Sequence, residues 1–141
     1  MTPNQVFPVD WAAVADAFCQ AWSSNRGSPD YDCLANFYAP DDDVIIYDTL
    51  PPLQGFLGFK QLRNEIYPGL EHIAVKRTGD VVARAMAAGH VVVTCYPFHL
   101  QYAFVDGRTM SIDARITEVW ERRSDGYRIV HEHPSTIYDK G

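Results

Sequence analysis

The sequence predicts an α+β domain, with helices first and an antiparallel meander after them. Three observations predict it. Up to about residue 70 the apolar residues recur at helical spacing, and beyond it they alternate with period two. The alternating segments are divided by turn pairs, Gly79-Asp80, Ala88-Gly89, Asp106-Gly107 and Asp125-Gly126. The 141 residues, 47% hydrophobic and 21% charged, suit one domain, residues 1–141, with a core of its own.

In chain order, Asp10 can cap a helix opening at Trp11, with Trp11, Val14, Ala15, Phe18 and Trp22 on one face. Gly27 ends it. Ser28-Pro29 reads as a second cap followed by proline at the first helical position, and Leu34, Phe37 and Tyr38 lie in that short helix, stopped by Pro40. Val44-Ile45-Ile46-Tyr47 reads as a strand, and Thr49 to Gly55 as a Pro-rich loop. Phe59, Leu62 and Ile66 mark a third helix that ends at Pro68-Gly69. Strands are then expected over 71–78, 81–87, 90–105, 108–122 and 127–137, with Pro97 marking a bulge or an edge.

Charge and motifs narrow the function. The net charge of −6 gives no basic face for nucleic acid or anionic membranes. No apolar run is long enough to span a bilayer. Met1 to Pro8 lacks the basic and apolar stretches of a secretory leader. Cys19, Cys33 and Cys95, an odd count without CxxC, read as buried free thiols of a cytoplasmic protein. There is no GxSxG, GxGxxG, Walker loop or HExxH, so no cofactor is expected.

Strand parity picks out candidate site residues. In 90–105 the even positions, including Tyr96, Phe98 and Tyr102, form an apolar, aromatic face. In 108–122 the even positions are Met110, Ile112, Ala114, Ile116, Glu118 and Trp120. Glu118 is the one carboxylate there, and its charge costs on the order of several kcal/mol unless paired or neutralised. Either it reaches water or an arginine at the strand end, or it is a pocket acid with a raised pKa. His131 and His133 share the odd face of the last strand and admit three roles: a structural network, ligand contact, or two ligands of a metal lacking a third. No metal is expected. Asp48 follows the first strand, where a carboxylate is a cap or stands at a pocket mouth.

The order of elements over residues 10–138 resembles the nuclear transport factor 2-like superfamily. The closest local match is Ala114 to Ser135, ARITEVWERRSDGYRIVHEHPS. It is similar to the SnoaL-like branch, in which T-x-V-W, a D-G turn and W-R-I-V-H-x-H-x-S recur together. With His99 to Tyr102, HLQY, the stretch also resembles the association domain of calcium/calmodulin-dependent protein kinase II. The resemblance implies a cystatin-like cone, a curved antiparallel sheet wrapped around three N-terminal helices with an apolar pocket at its wide end. Ketosteroid isomerases, another branch, have a catalytic Asp after the first strand, and FYAPDDDVIIYDTLPP puts Asp48 there, followed by Thr49 where they have proline. Their oxyanion acid falls on Glu118, counted back from Gly126, and at their oxyanion tyrosine this chain has Phe18.

These readings imply an isomerase, cyclase or dehydratase acting on a hydrophobic carbonyl compound. Asp48 and Glu118 would be its base and acid, with His131 or His133 orienting substrate. Phe18, Trp22, Tyr47, Tyr67, Tyr96, Phe98 and Trp120 are the expected pocket walls. The alternative is a non-catalytic ligand-binding or homo-oligomeric assembly domain. Both imply a homodimer.

Overall fold

The structure, a computed structural model, describes residues 9–47 and 55–136. Three helices, α1 (Trp11–Trp22), α2 (Tyr31–Ala35) and α3 (Phe59–Ile66), pack on a curved mixed sheet of seven strands. The strands are β1 (Ile45–Tyr47), β2 (Gly55–Leu57), β3 (Leu70–Arg77), β4 (Val82–Met86), β5 (Val91–Phe104), β6 (Thr109–Arg123) and β7 (Gly126–Thr136). Their order is β2-β1-β7-β6-β5-β3, with β4 also paired to β5.

The local signals account for most of this. Asp10 caps α1 by accepting from the Ala13 amide at 3.1 Å. The helix buries Ala15, Phe18, Cys19 and Trp22, its 3–4-spaced face, against the sheet. Its end is tied to β3 by Ser23, whose hydroxyl donates to the Cys19 carbonyl at 2.9 Å and accepts from the Val75 amide at 3.0 Å. The second helix starts later than expected. Asp30, not Ser28, is its cap, accepting from the amides of Asp32 and Cys33. One carboxylate there satisfies two orphan donors, and Pro29 falls before the cap.

Two features of the sheet depart from a plain antiparallel meander. Strand β1 runs parallel to β7, Ile45 beside His131 and Ile46 beside Glu132. A short β2, in a stretch read as the end of a loop, pairs with β1, Tyr47 opposite Gly55. Pro97 sits where β5 exchanges partners: β4 covers Val91 to Cys95, and β3 covers Phe98 to Phe104. The missing N–H therefore falls in a gap of the ladder and leaves no orphan.

The decisive irregularity is in β7. Val119 pairs with His131, but Trp120 pairs with Ile129, so Val130 is an extra residue. Side chains alternate on either side of it, and parity inverts across it. Ile129 and Glu132 both point inward and are buried. Of the cysteines, Cys19 is buried, Cys95 half-buried and Cys33 exposed, and all are free thiols. Among the described residues no helix is long and apolar enough to cross a membrane.

Gly58, at the start of α3, has φ +88°, and a Cβ there would come within 2.5 Å of Asp41 Cβ. This close approach lets the Asp41 carboxylate accept from the Lys60 amide in the first turn of α3 at 3.4 Å. Gly107, φ +94°, has open space around it. Gly58→Ala is therefore expected to destabilise by about 3 kcal/mol or more, and Gly107→Ala by about 1 kcal/mol, in urea denaturation. Equal losses would show that the Asp41 contact restricts nothing.

Candidate active site

The inner face of the sheet and the helices line a narrow apolar cleft of about 50 Å³ that opens to solvent. Phe18, Cys19 and Trp22 of α1 form one wall, and Tyr67 follows α3 into it. Ile73 and Val75 come from β3, Tyr96, Phe98 and Leu100 from β5, Ile116 from β6, and Glu132 and Pro134 from β7. Strand alternation selects these positions, because consecutive even residues of β5 share one face.

Polar groups gather along one row of that face. Thr94, Glu118 and Glu132 are direct cross-strand partners on β5, β6 and β7. Thr94 donates to Glu118 Oε1 at 3.3 Å, and the Trp120 indole N–H donates to Thr94 Oγ1 at 3.0 Å. Tyr38, which follows α2, donates to Glu132 Oε1 at 2.9 Å. The next row toward the cleft is Tyr96, Ile116 and Pro134. Two buried side-chain atoms here have no hydrogen-bond partner, Glu118 Oε2 and the Tyr96 hydroxyl.

Burial dominates the electrostatics. Glu118 is 1% exposed. Its pKa is pushed from 4.5 up to about 8 by loss of water, with the nearby Tyr96 and Thr94 hydroxyls pulling it back only in part. The acid is therefore mostly neutral at pH 7. Burial raises the Cys19 thiol to about 12, so it is no nucleophile. Burial also raises Tyr38 and Tyr96, and the charge of Glu132 adds to it at Tyr38 and that of Glu118 at Tyr96.

Of the expected wall residues, Phe18, Trp22, Tyr67, Tyr96 and Phe98 line the cleft. Trp120 lies beneath the polar row, packed against Trp11 at 5.4 Å. Tyr47 is 41% exposed, because Ile46 takes the inward position of the short β1. His131 and His133 flank the inward-facing Glu132 and so stand on the sheet's outer face, an inversion caused by the Val130 bulge. There His131 Nδ1 meets the Ile45 carbonyl at 2.9 Å, and the Tyr47 ring lies 5.1 Å from His133. Among the described residues no third His, Cys, Asp or Glu joins the two histidines in a group that could hold a metal. Asp48 lies outside the described residues.

Sequence reasoning missed Glu132, Tyr38 and Thr94. Strand parity points Glu132 outward unless the bulge is known. The available signal was an acid set between two histidines in the last strand, just after the apolar pair Ile129-Val130.

No protein-family model and no curated protein sequence matches the chain. Solved structures do match. An NTF2-like superfamily protein from Salmonella enterica is 20% identical and covers 77% of this chain and 79% of its own, with a TM-score of 0.65. The association domain of C. elegans CaMKII is 14% identical and covers 90% and 93%, with a TM-score of 0.66. A type 2 hexachlorocyclohexane dehydrochlorinase, LinA, is 17% identical and covers 91% and 85%, with a TM-score of 0.68. The fold is thus the NTF2-like, α+β one. It carries both an enzyme and an association domain, and only the site can separate those roles.

The raised pKa of Glu118 has a measurable consequence. The unfolded chain releases this proton above 4.5 and the folded chain holds it to about 8. The stabilisation from keeping Glu118 neutral is complete below 4.5 and is lost as pH rises through about 8, by at most about 1.4 kcal/mol per pH unit. Urea denaturation from pH 5 to 8 should show this decline, and Glu118→Gln should flatten it. Identical slopes in both proteins would mean that Glu118 is ionised in the fold.

Proposed function

We propose that this protein is an acid–base enzyme of the isomerase, cyclase or dehydratase type, acting on a hydrophobic carbonyl compound bound in the apolar cleft. The observation that carries this reading is the buried acid Glu118, whose Oε2, like the Tyr96 hydroxyl nearby, makes no hydrogen bond of ordinary geometry, behind a cleft wall that Tyr96 and Glu132 line. A buried donor without a partner costs about 1–3 kcal/mol. Two such groups side by side suit a carbonyl oxygen that gathers negative charge during reaction.

In the proposed cycle Asp48 is the base. It takes a proton from the carbon next to the carbonyl, and the C–H electron pair moves into the carbon framework while the carbonyl π pair moves onto oxygen. Tyr96 donates a hydrogen bond to that oxygen from the cleft wall, and the neutral Glu118 behind the wall is the acid of the site. Return of the proton to the same or another carbon restores the carbonyl and recharges the base. Tyr96 lines the cleft and supplies this donor, whereas His131 and His133, expected to orient substrate, are not among the cleft's lining residues. Phe18, Trp22, Tyr67 and Phe98 hold the apolar body of the substrate.

One discriminating feature favours the enzyme over an assembly domain. In a purely structural role Glu118 would be expected to pair with an arginine such as Arg115 or Arg128. Arg115 instead donates to Ser135 at 3.3 Å, and Arg128 pairs with Asp125. The proposal includes a homodimer formed through the sheet's outer face. There Val93 stands opposite Val119, and Cys95 opposite Thr117, all half-buried in the single chain.

The test is deuterium exchange. The protein is incubated in heavy water with cyclohexanone, decalone and tetralone, and label at the carbon beside the carbonyl is read by mass spectrometry. The wild type should accelerate exchange of at least one ketone. Asp48→Asn should lower that rate by about 10²–10⁴-fold while leaving ketone binding in place. A wild type that binds ketones without exchanging them would establish the non-catalytic binding domain instead.

A further inference from the structure

We infer that Glu132 is a second catalytic carboxyl of the cleft, the one that meets the substrate, and that it shares a single proton with Glu118 on the neighbouring strand. This rests on the acid–base reading above and adds to it the residue through which the buried acid reaches the substrate.

The register carries the argument. Glu118 and Glu132 are direct Cα partners across β6 and β7, and both face inward, at 1% and 5% exposure. Side chains so placed have Cβ atoms about 5 Å apart. Only Glu132 belongs to the cleft wall; Glu118 lies behind it and keeps one oxygen, Oε2, without a partner. Two carboxylates this close in a dry interior do not both ionise near neutrality, and the pair keeps one proton.

The surroundings decide where that proton rests. Tyr38 donates to Glu132 Oε1 and is itself fixed by stacking on Phe59 at 4.9 Å and 8°. This hydrogen bond favours the negative form of Glu132. Also near the pair are Cys19 from α1, Thr94 and Tyr96 from β5, and the apolar Ile46 from β1. Among the described residues no arginine, lysine or histidine forms an ion pair with Glu118. At rest the proton sits on Glu118. As the carbonyl oxygen becomes negative, the proton passes to Glu132 and is shared with that oxygen in a hydrogen bond. When the base returns its proton to carbon, the pair's own proton goes back. The pair begins and ends with one proton, and no oxidant or further reactant enters.

Two measurements test this on the full chain. In the exchange assay, Glu132→Gln should slow exchange by about 100-fold or more. The glutamine carbonyl still accepts from Tyr38, which preserves the local packing. In carbon-13 NMR of labelled glutamate carboxyls, the same variant should lower the Glu118 titration midpoint by about one pH unit or more, because a neighbouring negative charge is gone. Glu132→Asp keeps that charge but draws it back from the cleft. It should hold the Glu118 midpoint near the wild-type value while still losing most of the exchange.

If the wild type exchanges a ketone and Glu132→Gln exchanges it equally fast, the inference fails and the enzyme reading stands. A Glu118 midpoint that does not move in Glu132→Gln also overturns it, since the carboxyls then share nothing. A wild type with no exchange on any ketone overturns the enzyme reading and this inference with it.

Discussion

Glu118 is a carboxyl group that the fold takes almost entirely out of water, and among the described residues no cation pairs with it. That placement is unfavourable for an anion, so the group holds its proton through neutral pH. Much of the surrounding architecture bears on this condition. Thr94 spends its hydroxyl on one Glu118 oxygen, and Trp120 fixes Thr94 in turn. Tyr38 holds the second glutamate from the helical side. The remaining walls are aromatic and aliphatic, and they keep the local dielectric low.

The sheet sets this up through two long strands and one irregularity. Thirteen consecutive pairs between β5 and β6 fix which residues face the helices. The single extra residue in β7, Val130, then turns Glu132 inward and the two histidines outward. Without it, an ordinary alternation would put His131 and His133 on the cleft side and leave Glu118 facing an imidazole pair. One bulge therefore separates an acidic floor from a histidine-lined one, with the same sequence on either side.

Much of this was legible in the sequence. Long alternating segments bounded by Asp-Gly turns set the strands to within a residue or two, and the even face of 108–122 singled out Glu118. Five wall residues, Phe18, Trp22, Tyr67, Tyr96 and Phe98, followed from helical and strand periodicity and the resemblance together. What was not legible depends on register. A bulge leaves no composition signal, so Glu132 was hidden. The three-residue β1 is too short for alternation to reveal that Tyr47 faces outward. Trp120 has the correct face but sits one row below the cleft, a depth that parity does not encode.

Infrared spectroscopy addresses the central claim most directly. A protonated carboxyl buried away from water gives a carbonyl stretch well separated from that of carboxylates. The account predicts this band in the wild-type protein at pH 6, fading as pH passes about 8, and missing in Glu118→Gln. A wild-type spectrum at pH 6 with no such band would show that Glu118 is charged in the fold, and the acidic floor would lose its chemistry.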